Sequence, residues 1–218
     1  MANVVIFDLD GTLVDSAPEI QDAVNRVWTG RGYEPFDLPT LISFVGNGLP
    51  TLIKRAMAAR GIEQDAFQSL HDEVLDIYNA ADGSLTTPYP GVEDVLKTLS
   101  DQGVRLGVCT NKPEGAARHV LRVLGWDMFE VVVGGDTLPV RKPDPQPLNA
   151  VWEALGNAAM LYVGDSEIDA ETAVAARVKF ALFTEGYRKN PVESVPHDFL
   201  FSDYAHFPKI VETHFSQT

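Results

Sequence analysis

The chain has 218 residues, 45% of them hydrophobic and 22% charged, which excludes a disordered or fibrous protein and allows one domain with an insertion. The net charge of −14, with no basic run longer than two residues, disfavours nucleic acid as a partner. No apolar run reaches the about 18 residues of a membrane span, and the first residues resemble no signal peptide, so we expect a cytoplasmic protein with no membrane partner. The single cysteine, Cys109, excludes an intrachain disulfide and a cysteine-based zinc cluster.

Short apolar runs alternate with helical segments along most of the chain. The predicted strands are residues 4–7, 106–109, 131–133, 160–163 and 178–183. The predicted helices are residues 92–99, 113–124, 147–155 and 169–176, three of which stop near Gly103, Gly125 and Gly156. Strands that are apolar on both faces and alternate with helices are typical of parallel sheets. The sequence therefore predicts an α/β fold, a Rossmann-like parallel sheet core with helices on both faces.

Residues 17–87 interrupt this alternation, because a plain crossover between parallel strands needs far fewer residues. Apolar residues recur there with helical spacing, as at Ile20, Val24 and Val27. Proline and glycine punctuate both ends of the interval. We therefore expect an inserted α-helical cap domain, residues 17–87, and a Rossmann-like catalytic core made of residues 1–16 and 88–218.

Two acidic pairs follow predicted strands. Asp8 and Asp10 come directly after the first strand, and Asp165 and Asp169 follow the strand at 160–163. Ligand sites in open α/β sheets lie at the carboxyl ends of the strands, so these acids are expected to converge. Two like charges about 5 Å apart repel by about 3 kcal/mol at an effective dielectric constant near 20, which calls for protonation or a counter-cation. An all-oxygen ligand set of this kind suits Mg²⁺.

Other polar residues follow the remaining strands. Thr110, Asn111 and Lys112 come after the strand at 106–109, and Lys142 follows the strand at 131–133. A carboxylate nucleophile, a hydroxyl donor, an ammonium group and a divalent cation are the groups that phosphoryl transfer through an aspartyl-phosphate needs. The sequence therefore predicts a phosphoryl-transfer site at this edge of the sheet.

These motifs, in this order, resemble the haloacid dehalogenase superfamily over essentially the whole chain. The matching residues are Asp8-x-Asp10-Gly11-Thr12, Thr110, Lys142 and Gly164-Asp165-x-x-x-Asp169. The resemblance implies that Asp8 is the nucleophile and that Asp10 is the general acid and base. It also implies that Thr110 and Lys142 hold the phosphoryl oxygens, and that the Mg²⁺ ligands are Asp8, Asp10 through its carbonyl, Asp165 and, directly or through water, Asp169.

Further motifs resemble the phosphoglycolate phosphatase branch of that superfamily. They include Gly46-Asn47-Gly48 before a helix, Thr110-Asn111-Lys112-Pro113 and Gly134-Gly135-Asp136, whereas Ala176-Arg177 departs from the branch, which commonly has Ala-Gly there. The resemblance implies a small phosphorylated metabolite, 2-phosphoglycolate first, as substrate, and a monomer or homodimer. The expected substrate-binding residues are Gly11, Thr12, Gly48, Arg55 and Asn111, with Lys54 as an alternative to Arg55.

Two other functions remain open at the level of sequence. A sugar-phosphate phosphomutase, like β-phosphoglucomutase, has the same core motifs and differs by returning the phosphoryl group to the sugar. A signalling module that is phosphorylated on aspartate also uses an Asp, a Thr or Ser, a Lys and Mg²⁺, but it is about half this length. The acid at Asp10 and the helical insertion argue against the second alternative.

Overall fold

The computed structural model describes residues 3–216. Met1, Ala2, Gln217 and Thr218, which the predicted catalytic core includes, lie outside the described residues. In order along the chain the strands are β1 (Val4–Phe7), β2 (Val14–Asp15), β3 (Thr87–Pro88), β4 (Arg105–Cys109), β5 (Phe129–Val133), β6 (Met160–Gly164), β7 (Lys179–Phe183) and β8 (Phe199–Phe201). Within residues 3–216, no helix is both long enough and apolar enough to span a membrane.

Six of these strands form one parallel sheet in the order β5-β4-β1-β6-β7-β8. The strand β1 therefore lies between β4 and β6, and all three carry polar residues at their carboxyl ends. The strands β2 and β3 pair with each other in an antiparallel fashion outside this sheet. The predicted parallel α/β sheet is confirmed, and its topology brings the motifs to one edge.

The helices of the described residues are α1 (Ala17–Gly30), α2 (Leu38–Phe44), α3 (Leu49–Arg60), α4 (Phe67–Ala80), α5 (Val92–Asp101), α6 (Glu114–Val123), α7 (Gln146–Ala154), α8 (Glu167–Ala176) and α9 (Phe207–Phe215). The last five of these, α5 to α9, cover the two faces of the sheet. Alternate residues of β1 belong to two different clusters: Val5 and Phe7 pack with α5, α6 and α9, whereas Val4 and Ile6 pack with α7 and α8. Burial of both faces explains why the strands are continuously apolar.

The four helices α1 to α4 lie between β2 and β3, within residues 17–87, and make up the helical insertion. They surround a hydrophobic cluster of their own, in which Trp28, Leu41, Ile53 and Met57 are fully buried. Ala116 of α6 and Tyr187 also belong to that cluster, so the insertion packs directly on the rest of the molecule. The chain enters the insertion after β2 and leaves it at β3. These two strands are adjacent, because Asp15 of β2 pairs with Thr87 of β3.

Candidate active site

Asp8 lies at the carboxyl end of β1, in the middle of the sheet. Its Oδ1 accepts a hydrogen bond from the Leu9 amide at 2.7 Å, and its Oδ2 lies 3.1 Å from Nζ of Lys142. Burial raises the pKa of Asp8 to about 7; the Lys142 ammonium opposes this shift, and the nearby Asp169 carboxylate adds to it. A carboxylate fixed at both oxygens, with its charge opposed by burial, favours a cation at this position.

Lys142 is a buried ammonium that joins two acids. It is 2% exposed, and its Nζ lies 2.6 Å from Oδ1 of Asp169 and 3.0 Å from the hydroxyl of Tyr162. Burial alone would lower the pKa of Lys142, but Asp169 and Asp8 stabilise the ammonium and hold its pKa above the usual range. The residue is therefore a fixed positive charge next to the Asp8 carboxylate.

Asp165 and Asp169 lie where β6 passes into α8. The Thr12 hydroxyl donates to Oδ1 of Asp165 at 2.8 Å, and the Tyr187 amide donates to its Oδ2 at 2.6 Å. Burial, followed by the charges of Asp169 and Asp8, raises the pKa of Asp165 well above its ordinary value. Asp169 belongs to a capping box with Ser166, and despite burial the Lys142 ammonium keeps its pKa below the ordinary value.

Oxygen atoms of Asp8, Asp165 and Asp169 all lie within 4.8 Å of one another. Asp169 already accepts hydrogen bonds from Lys142, Tyr162 and Ser166, so it can orient its neighbours more readily than it can bind a metal directly. Asp8 and Asp165 are buried, repel each other, and offer hard oxygen ligands. These residues fit Mg²⁺, which binds through one or two carboxylates and retains water.

A cavity of about 310 Å³ opens between this edge of the sheet and the helical insertion. Asp8, Asp10, Thr110, Asn111 and Asp165 line it from the sheet, and Gly48, Leu49, Leu52, Arg55 and Tyr78 line it from the insertion. Thr110 is 2% exposed, which places its hydroxyl at a buried part of the wall. The cavity therefore brings together residues from five separate regions of the chain.

Asn111 connects the cavity wall to the insertion. Its Nδ2 donates to the carbonyl oxygens of Gly46 at 3.1 Å and Lys142 at 3.0 Å. Its Oδ1 is buried and has no hydrogen-bond partner among the described residues. An unpaired buried acceptor is costly, so this atom is a suitable contact for a hydroxyl or water that enters the cavity.

The predicted substrate-binding residues divide into two groups. Gly48, Arg55 and Asn111 line the cavity, but Gly11 and Thr12 do not. Gly11 has a φ of +82°, and a Cβ there would lie 2.6 Å from Oδ2 of Asp165, so a glycine at this position lets the turn after β1 approach that acid. Thr12 is fully buried with its hydroxyl on Asp165, so the geometry supports positioning of Asp165 and not contact with substrate.

Several residues of this site had no predicted role. Lys112 contacts Asp10 at 2.7 Å, and Lys189 lines the cavity. The Tyr187 hydroxyl accepts hydrogen bonds from the amides of Ser16 and Ala17 at 2.8 and 2.9 Å, which ties the start of the insertion to the Asp165 loop. Lys112 carried a signal, because it directly follows Thr110 and Asn111, and Tyr187 carried a weaker one, because Gly186-Tyr187-Arg188 partly resembles a loop of the phosphoglycolate phosphatase branch. By contrast Lys54, the alternative to Arg55, lies over the Phe67 ring, 5.3 Å from its centroid.

Comparison with known proteins agrees with this geometry. Residues 5–183 match the haloacid dehalogenase-like hydrolase family. A phosphoglycolate phosphatase of Cereibacter sphaeroides is 50% identical over 210 residues, 95% of this chain and 96% of that protein. One of Rhodobacter capsulatus is 41% identical over 97% of this chain and 98% of its own length.

Solved structures share the fold. A crystal structure of a predicted phosphoglycolate phosphatase from Haemophilus somnus has a TM-score of 0.91 at 29% identity, covering 96% of this chain and 98% of that one. The CbbY protein of Rhodobacter sphaeroides, solved with phosphate, has a TM-score of 0.80 at 19% identity, covering 95% of this chain and 96% of its own, and shares the fold alone. The chain therefore belongs to the haloacid dehalogenase-like hydrolase family and is a phosphoric monoester hydrolase.

Proposed function

We propose that this enzyme is a Mg²⁺-dependent phosphatase that hydrolyses a small organic phosphate monoester, 2-phosphoglycolate, through an aspartyl-phosphate on Asp8. The observation that carries the proposal is the convergence of Asp8, Lys142 and Asp165, which lie in the segments that follow β1, β5 and β6, at one edge of the parallel sheet. The phosphoglycolate phosphatases of Cereibacter sphaeroides and Rhodobacter capsulatus support the choice of substrate.

Asp8 is the proposed nucleophile. Its contacts with the Leu9 amide and the Lys142 ammonium hold the carboxylate in one orientation. When an oxygen of Asp8 bonds to phosphorus, the bond from phosphorus to the leaving oxygen breaks, and Lys142 and the Thr110 hydroxyl stabilise the charge on the phosphoryl oxygens. A Mg²⁺ bound by Asp8, Asp165 and the Asp10 carbonyl, with Asp169 orienting these ligands, would supply further neutralisation of that charge.

Asp10 is the proposed general acid and base. It lines the cavity beside Asp8, and its side chain is 14% exposed, so it can exchange protons with a bound molecule. It would give a proton to the leaving alkoxide, and later take one from the water that hydrolyses the aspartyl-phosphate. In this mechanism Asp8 forms the covalent bond to phosphorus and Asp10 transfers the proton.

Two cations of the cavity wall, Arg55 and Lys189, favour a substrate that carries a second anionic group. Arg55 donates to the Phe44 carbonyl and the Asn47 side chain, both at 2.9 Å, and Lys189 donates to the Val45 carbonyl at 2.8 Å. These acceptors are neutral, and burial together with the charge of Arg55 holds the pKa of Lys189 below its usual range. The carboxylate of 2-phosphoglycolate would compensate this positive charge.

We further propose that residues 17–87 act as a cap over a core made of residues 1–16 and 88–218. The insertion forms the roof of the cavity and contributes Gly48, Arg55 and Tyr78 to its lining. Hydrogen bonds from Asn111 to Gly46 and from Lys189 to Val45 connect the roof to the floor. A closed roof excludes bulk water while the nucleophile reacts.

The proposal is tested with a set of small phosphate esters, 2-phosphoglycolate included, assayed for phosphate release with Mg²⁺ and with a chelator. We expect Mg²⁺-dependent release, fastest with 2-phosphoglycolate, and a mass increase of one phosphoryl group on a peptide containing Asp8 after rapid quenching. Formation of an isomeric sugar phosphate without release of phosphate would instead identify a phosphomutase. Turnover without Mg²⁺, or labelling of another residue, would contradict the mechanism.

A further inference from the structure

A lysine outside the four superfamily motifs lies against the proposed general acid. Lys112 follows β4, its side chain is 2% exposed, and its Nζ donates to Oδ1 of Asp10 at 2.7 Å. The Ser16 hydroxyl donates to the same oxygen at 2.6 Å. Among the described residues no hydrogen bond reaches Oδ2 of Asp10, so one oxygen is fixed and the other is free to exchange a proton with substrate.

The other partner of Lys112 belongs to the helical insertion. Tyr78, in the last turn of α4, accepts a hydrogen bond from Nζ of Lys112 at its hydroxyl, and its ring centroid lies 4.6 Å from the same nitrogen. Tyr78 is 8% exposed. A lysine side chain is flexible, so a hydroxyl acceptor and an aromatic face together restrict where its ammonium can lie.

The contact is formed where the insertion packs on the core. Tyr78 and Val74 of α4 share a hydrophobic cluster with Ala116 of α6, and Lys112 lies in the loop that leads into α6. Moving α4 away from α6 would separate Tyr78 from Lys112 while leaving Lys112 and Asp10 on the same side. The Lys112 ammonium would then keep its contact with Asp10 but lose the one with Tyr78, and the long Lys112 side chain would regain conformational freedom.

We propose that Lys112 is a positioning residue for Asp10, and that Tyr78 completes this positioning only when α4 is packed on α6. This inference rests on the proposed function, because it requires Asp10 to act as the general acid. The consequence is that the proton for the leaving group is well placed only in the closed cavity. Tyr78 thereby makes proton transfer depend on the position of the insertion.

The test is Tyr78→Phe, which removes the hydroxyl and keeps the ring in the cavity wall. Loss of a positioned proton donor slows the expulsion of poor leaving groups, since general acid catalysis contributes about 10²–10⁴-fold. We expect kcat/KM to fall about tenfold for 2-phosphoglycolate, whose alkoxide needs a proton, and less than about twofold for p-nitrophenyl phosphate, whose phenolate does not. Lys112→Met, which removes the ammonium, should show the same selectivity with a larger loss.

The matched control is Tyr33→Phe, a tyrosine of the same insertion that is 36% exposed. It should leave both values unchanged. Equal losses with the two substrates in Tyr78→Phe, in a protein with an unchanged thermal melting curve, would assign Tyr78 to binding or packing and overturn the proposal. Unchanged values for both substrates would overturn it as well.

Failure of the proposed function gives a different result. Asp10→Asn should show the strongest dependence on the leaving group, and adding Tyr78→Phe to it should cause no further loss, because the two residues act in one step. If Asp10→Asn lowers activity equally with both substrates, Asp10 is not the general acid and the proposed mechanism fails. If Asp10→Asn is selective but the double variant loses a further tenfold, only the role given to Tyr78 is overturned.

Discussion

At the scale of single residues, the charge balance of the site depends on Lys142, a buried cation that lies among buried acids. Lys142 contacts Asp8 and Asp169 at 3.1 and 2.6 Å, and the same Asp169 accepts a hydrogen bond from Tyr162. Removing one member of a buried charge pair leaves the other uncompensated, which costs several kcal/mol. Changes at these positions therefore test stability as well as chemistry, and the most informative substitution is one that keeps shape and hydrogen bonding.

Asp8→Asn is such a substitution. An amide has the size of the carboxylate and can still accept the Leu9 hydrogen bond, but it cannot attack phosphorus. We expect kcat to fall by at least about 10³-fold while the circular dichroism spectrum stays unchanged. Full phosphatase activity in the purified variant would contradict the assignment of the nucleophile.

Arg55 allows a test of substrate selection. In Arg55→Gln we expect KM for 2-phosphoglycolate to rise about 10–100-fold, because a hydrogen bond to a charged group contributes about 1.5–3 kcal/mol. KM for ethyl phosphate, which has no carboxylate, should not change. The control is Lys54→Gln, since this neighbouring cation lies over Phe67 and not in the cavity. An equal rise with both esters would show that Arg55 does not bind the carboxylate.

Site residues that belong to sequence motifs were easier to predict than site residues whose positions depend on tertiary packing. The approach of Asp8 to Asp165 and Lys142 follows from strand order, because parallel strands place their carboxyl ends at one edge. Lys189 and Tyr187 lie in a loop with no regular spacing, and their positions depend on packing against the insertion. The motif alone also did not reveal that the Thr12 hydroxyl donates a hydrogen bond to Asp165, a contact that depends on tertiary packing.

At the scale of elements, close packing of α7 on β4 depends on a glycine within the strand. A Cβ on Gly107 would lie 2.5 Å from Cγ1 of Val151 and 2.9 Å from Cδ1 of Leu155. The missing side chain lets the helix lie directly on the sheet. The position of β4 matters because Thr110 and Asn111 follow it.

Gly107→Ala is therefore expected to lower the free energy of unfolding by about 1–3 kcal/mol through overpacking. The matched control is Gly115→Ala in α6, where a Cβ would meet no atom within 4 Å. That variant should keep its stability or gain up to about 1 kcal/mol, because alanine favours helix. Urea unfolding followed by circular dichroism measures both, and equal stabilities of the two variants would contradict the packing argument.

Elements with strong periodicity were predicted, and short ones were not. The strands β1, β4, β5, β6 and β7 lie where apolar runs predicted them, within a few residues. The sequence pattern did not predict α2, β8 or α9. β8 has only three residues, α2 only seven, and α9 is buried through Phe207 and Val211 against a cluster that the sequence does not reveal. Tertiary packing determines these elements more than local pattern does.

At the scale of the whole molecule, we expect Mg²⁺ binding and stability to be linked through the buried acids Asp8 and Asp165. In the metal-free protein the pKa of Asp8 is raised to about 7 from an ordinary value of 3.8, so the native state binds more protons than the unfolded state between these values. The contribution of Asp8 to the free energy of unfolding should therefore decrease as the pH rises from about 4 to about 7. Mg²⁺ would replace the proton and restore the lost stability.

We accordingly expect Mg²⁺ to raise the melting temperature more at pH 8 than at pH 6, since protons compete with the ion at the lower pH. Differential scanning fluorimetry with Mg²⁺ and with a chelator measures this difference. In Asp8→Asn, which lacks the titrating carboxylate, the difference between the two pH values should shrink. A stabilisation by Mg²⁺ that is the same at both pH values in the unmodified enzyme would contradict the competition.

The residues that meet in the candidate active site lie far apart in the sequence, and this separation has a consequence for biosynthesis. Thr12 and Asp165, which share a hydrogen bond, are 153 positions apart in the chain, and Asp8 is synthesised long before Asp165. A ribosome-bound chain that ends before β6 therefore carries Asp8 and Asp10 without Asp165, without Asp169 and without the strand β6 that pairs with β1. The candidate active site can therefore be complete only after β6 and the loop that carries Asp165 have been synthesised.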